Sequence, residues 1–164
     1  MPIFGIYFAL KLTGAAARPA SNGKAIGFTF LGLVVMVGGG LLMELSFRHG
    51  YVLLAGGLLL LAVAAVIPLA GWPALTQILI AYGYAARIPV AIVMFFAIRG
   101  NWGTHYDAPP PNFPEMAFWP KYLLIGLLPQ LILWIAFTVI AGSLFGIAAV
   151  ALFRRGKDTA QAPS

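Results

Sequence analysis

The sequence contains no cysteine and only four acidic residues against ten lysines and arginines, so charged side chains make up 9% of its 164 residues. The missing thiols exclude disulfide scaffolds, thiol redox relays, zinc knuckles and iron–sulfur ligation together. The scarcity of charge excludes more. A soluble domain is about 25% charged, and so few charges cannot cover a core built from a chain that is 62% apolar. There is also no G-x-x-x-x-G-K-[ST], no G-x-S-x-G and no paired-acid motif of the kind that holds metal for phosphoryl or alcohol transfer. No catalytic residue and no cofactor is assigned, and a non-enzymatic role is expected. Internal repeats are not evident.

What the chain has in abundance is hydrophobic length, with a mean hydropathy of +0.95. A helix needs about 20 mostly apolar residues to cross a hydrocarbon core of roughly 30 Å. Four segments meet that requirement: 25–47, 51–70, 74–98 and 122–153. The turns Arg48-His49-Gly50 and Gly71-Trp72-Pro73 are short, which makes the first three segments antiparallel neighbours. The expected fold is therefore an all-α integral membrane protein, a four-helix transmembrane bundle occupying 25–153. The fourth segment would be about 48 Å long as a straight helix, and Pro129 is its expected breaking point, leaving 131–153 as the span and 122–128 at the interface.

Residues 1–24 read as a short N-terminal interfacial segment, MPIFGIYFALKL, followed by a small and polar linker. The twelve apolar residues are too short to cross and lack the basic start and cleavage site of a secretory signal. The alternative is a truncated fifth span. Residues 99–121 form the one sizeable loop, whose stretch 101–120 carries five prolines, two acids and a histidine and cannot be helical throughout. Residues 154–164 read as a cytoplasmic tail, disordered from Gly156.

Lysines and arginines near span ends accumulate on the cytoplasmic side. Lys11, Arg18, Lys24, Arg154, Arg155 and Lys157 flank the terminal side, against Arg48, Arg99 and Lys121 on the loop side. Both termini are thus expected in the cytoplasm, in a cell inner membrane. The net charge of +6 then serves orientation and lipid contact, and nucleic acid is not an expected partner. The bilayer is, together with either a homo-oligomer or a larger membrane complex.

Arg87 lies twelve residues before Arg99 and fourteen after Pro73, about 18 Å and 21 Å from those points on a helical rise. A charge at that depth costs at least about 2.5 to 3.5 kcal/mol on insertion scales and usually faces the bundle interior with a partner. Pro89 lacks an N–H and leaves the Ala85 carbonyl without its helical donor, so a guanidinium can bond it. Gln77 and Tyr84 fall on the same helical stripe as Arg87, and Gln130 or Glu44 could meet it from other helices. Two readings follow. In one, Arg87 is a packing device; in the other, it receives an anionic solute or lipid headgroup in a small transporter or channel component.

A second group gathers at the loop side: Glu44, His49, His105, Asp107 and Glu115. Imidazoles and carboxylates suit zinc, manganese or iron in kind, but no H-x-x-x-H or H-E-x-x-H spacing supports a site, and no metal is expected. The loop is aromatic, with Trp102, Tyr106, Phe113, Phe118, Trp119 and Tyr122, as suits a segment lying at the headgroup level. Gly142 and Gly146 form a GxxxG in the fourth span, a smooth patch for close helix packing, either within the chain or between copies.

Overall fold

The computed structural model describes residues 2–49, 51–109 and 114–160, the side chains of 47–49, 51 and 153–160 excepted. Among these described residues it is all-helical, with helix over 85% of them. In chain order α1 is Pro2–Gly14, α2 Asn22–His49, α3 Tyr51–Val66 with a tight 3₁₀ turn over Ile67–Ala70, and α4 Pro73–Gly100. After the loop, one long helical segment contains α5 (Phe118–Lys121), π1 (Tyr122–Leu127), π2 (Pro129–Leu133) and α6 (Trp134–Ala160). Among the described residues, four helices are long and apolar enough to cross a membrane: Asn22–Ser46, Val52–Ala70, Pro73–Gly100 and Phe118–Leu152.

The caps that divide the chain follow from local chemistry. Ser21 precedes α2 and its hydroxyl accepts the Lys24 amide at 3.4 Å, the usual work of a helix-capping serine. Pro73 begins α4, where a missing N–H costs nothing. Asn101 ends it in the left-handed region, φ 48°, with its amide donating to the Ala97 carbonyl; asparagine tolerates that conformation better than most residues.

Antiparallel order is set by close approaches. Added Cβ atoms on Gly39 and Gly57 would come within 2.9 and 2.8 Å of each other's carbonyl oxygens, so only glycine lets α2 and α3 pack backbone to backbone there. Further along the same pair Gly32 faces Ala64, and Gly71 faces Ala25. Trp72 is buried at that end, and its indole N–H donates to the Ala17 carbonyl at 2.9 Å, fastening the linker to the α3–α4 turn. The core runs along the bundle through Leu61, Leu75, Leu79, Ile135, Ala136 and Val139.

Three differences from the sequence expectations stand out. Pro129 does not break the fourth segment. The helix widens instead, the Leu128 amide reaching the Leu123 carbonyl and the Trp134 amide the Pro129 carbonyl, five residues back in each case. A π register moves each donor one carbonyl further back, so the turn runs past the proline without ending. Second, the helix continues through Gly156 to Ala160, where disorder is expected from the sequence. Residues 161–164 lie outside the described part.

The third concerns α1. Rather than lying across the bundle end, it runs lengthwise against α6 and parallel to it. Gly5 sits against Gly142 and Gly146, and Ala9 against Gly146, so closely that a Cβ on Gly5 would overlap the Gly142 backbone. Phe4 and Phe8 reach Tyr82, with ring centroids 4.7 and 5.8 Å away. Tyr82 is nine residues into α4, about 14 Å along its axis. The GxxxG thus receives α1 of the same chain. The physical reason is complementarity: a glycine on each helix removes the side chains that would hold them apart.

Candidate functional site

Arg87 stands at mid-length of α4, fourteen residues from Pro73 and thirteen from Gly100, about 21 and 20 Å from the two ends. It is half-buried and points toward the widened part of the fourth segment. Its Nη1 donates to Gln130 Oε1 at 3.3 Å, and the guanidinium carbon lies 4.4 Å from the centre of the Trp134 ring. Gln130 is itself buried, and its amide nitrogen reaches the Met94 sulfur at 3.5 Å. Met94 is seven residues beyond Arg87 on α4, two turns along the same face. Arg87 and Met94 thereby hold both ends of one amide, joining α4 to π2.

The widened turns place Gln130 and Trp134 against α4 at this height. Guanidinium over indole is the strongest common cation–π pairing, and burial from water raises its value. The arginine Nε, however, is buried without a hydrogen-bond partner. The guanidinium does not turn back to the Ala85 carbonyl but donates across to another helix. Glu44 is exposed near the far end of α2, well away from this height, so of the two inter-helical partners weighed from sequence it is Gln130 that meets Arg87.

Gln77 and Tyr84 belong to the outer side of α4. Both are exposed, Tyr84 by 40%. The stripe predicted from spacing therefore straddles the edge of the helix contact, with only Arg87 turned into it. Trp134 and Met94 were not singled out from sequence. Trp134 lies four residues after Gln130, and Met94 is an ordinary apolar residue on a span, so nothing local marked either as an arginine neighbour.

The loop-side residues remain apart. Glu115 is exposed, and His105 packs its ring on Tyr106 at 3.9 Å between centroids. The His49 side chain and Phe113 lie outside the described residues. Asp107 is buried and serves its own loop: its carboxylate accepts the Gly103 amide at 2.9 Å, the Thr104 amide at 2.7 Å and the Thr104 hydroxyl at 2.9 Å. The Gly103 amide foremost, with both Thr104 donors, holds the carboxyl below the ordinary aspartate range against the opposing effect of desolvation. Among the described residues, no three His, Cys, Asp or Glu side chains come together as metal ligands would. Further along, Phe118, Trp119 and Tyr122 close around Phe95, with centroids 5.2, 6.0 and 5.3 Å from it, so these loop-end aromatics pack on α4.

At the opposite end a cavity of about 230 Å³ is lined by Arg18, Pro19, Ala20, Asn22 and Val150. Arg18 there donates its Nε to the Thr13 carbonyl at 3.3 Å. Four of its five lining residues, Arg18 to Ala20 and Asn22, belong to the linker between α1 and α2 or to the first residue of α2.

Comparison with known proteins gives no match to a family model, to a curated protein or to a solved structure.

Proposed function

We propose that this chain is a non-enzymatic accessory or structural subunit of a larger complex in the cell inner membrane, multi-pass, with the α1–α2 linker and the C-terminal end of α6 on the cytoplasmic side. The observation that carries the reading is the use made of Arg87. A cation at mid-length of an apolar helix is held by Gln130 and the Trp134 ring, contacts that fix how α4 meets π2 and α6. Such a clamp supports a scaffold. The six-to-three excess of basic residues on the terminal side supports the orientation.

The runner-up is a small transporter or channel component that takes an anionic solute or lipid headgroup at Arg87, and the unpartnered Nε favours it. The two readings separate on purification from native membranes in mild detergent. A subunit migrates well above its own 17.4 kDa and its detergent shell, in a stable complex with other chains. A lone, monodisperse chain whose melting temperature rises with phosphate or sulfate overturns the subunit reading in favour of the solute one.

A further inference from the structure

We infer that the Arg87 face of α4 and α6 docks a transmembrane helix of a different protein carrying an aspartate or glutamate near its centre. The inference rests on the subunit reading and names the chemistry of the partner.

Arginine stays protonated under all protein conditions, so Arg87 is a permanent cation at the middle of its helix. Its two neighbours, Gln130 and Trp134, are neutral, and its Nε is buried with no acceptor. The chain cannot supply the missing anion. Of its four acids, Glu44 is near the far end of α2, Asp107 and Glu115 are in the loop, and Asp158 is in the last turns of α6.

The site also meets the outside. Arg87 is half-buried, and Trp134, Tyr84 and Phe137, exposed by 36, 40 and 41%, give the helices here an outward apolar and aromatic face. A phosphate headgroup does not satisfy this site, because the middle of a hydrocarbon core lies about 15 Å from either surface, farther than an arginine side chain extends. A second copy does not satisfy it either. That copy would bring another Arg87 to the same height and no carboxylate, and two like charges in hydrocarbon repel. A carboxylate on a foreign helix fits on both counts: it arrives at the right depth, neutralises the charge, and accepts from the guanidinium fork.

The test uses the full chain with a dye on Ala108→Cys, reconstituted in phosphatidylcholine vesicles with labelled leucine-rich transmembrane peptides. The peptides differ only at the central residue, which is Glu, Gln, Leu or Lys. Energy transfer is expected to show the Glu peptide binding at least about tenfold more tightly than the Gln or Leu peptides, with the Lys peptide weakest. Arg87→Leu should abolish the preference and Arg87→Lys should retain most of it. Because the peptide order is read on an otherwise unaltered protein, the test survives a variant that fails to fold. Equal binding of the Glu and Gln peptides overturns the inference, as does a Glu preference that persists in Arg87→Leu. A chloride, phosphate or sulfate effect on melting that vanishes in Arg87→Leu also overturns it, by assigning the charge to a solute. If Arg87→Leu still purifies with the native partner, docking at Arg87 is wrong while the subunit reading stands. If the unaltered chain has no native partner, both fall.

Discussion

The Arg87 guanidinium lies 4.4 Å from the centre of the Trp134 ring, with Gln130 bound to the same group at 3.3 Å. The planar fork is what allows both contacts at once, since it stacks on the indole while an edge nitrogen donates. Lysine keeps the charge but loses that geometry. Arg87→Lys and Trp134→Leu are each expected to cost about 1–2 kcal/mol, read as lower melting temperatures in detergent. A double variant no less stable than the worse single one would show that the two residues act as a unit. Full additivity would show that they act separately.

The contact of α1 with α6 depends on Gly5, Gly142 and Gly146 having no side chains. Gly146→Leu forces bulk against the Gly5 carbonyl and Ala9, and overpacking of this kind costs about 1–3 kcal/mol. Ala9 is fully buried in that contact. A cysteine at Ala9 is therefore expected to resist a thiol reagent in the parent and to react once Gly146→Leu is added. Equal reactivity in both backgrounds would mean that α1 is not held there.

Asp107 gathers three donors from Gly103 and Thr104, which prefer the charged carboxylate. Its folded pKa is therefore below the ordinary value of 3.8, and the sign follows: the stabilisation is fully present above that value and is lost as pH falls through the lower folded one. Amide exchange at Gly103 and Thr104 should show protection, relative to intrinsic rates, that is constant from neutral pH down to about 4 and declines below it. Asp107→Asn should remove the pH dependence and lower protection throughout. A parent profile matching the Asn variant would refute the carboxylate's role.

Orientation is open to a direct test because the sequence has no cysteine. An impermeant thiol reagent on intact cells is expected to label Ala108→Cys and to leave Ala160→Cys untouched until the membrane is opened. The reverse pattern would invert the topology drawn from the basic residues.

Much of the architecture was legible because hydropathy is a local property. The four long helices follow the predicted spans to within a few residues, the fourth excepted, whose helix begins at Phe118 rather than at 122 and carries on past 153. Gln130 was also within reach, since a mid-span amide is one of few groups able to answer a mid-span arginine. The course of the chain at Pro129 was not. Whether a proline breaks a helix or widens it depends on what packs around the turn, and here π2 is packed against α3, α4 and α6.

Sequence alone determined that the chain is helical and built to bury long apolar segments, and that its one mid-span charge has no acid of its own chain at the same height. Those conclusions need only residue counts, run lengths and the rise of a helix. Tertiary structure alone decided that α1 lies in the Gly142–Gly146 groove, that the arginine meets Trp134, and that the loop aromatics close on Phe95. Each of these joins residues distant along the chain, and apolar helices offer several faces of nearly equal hydropathy. Shape, charge and close approach between faces select among them, and that information exists only once the helices are assembled.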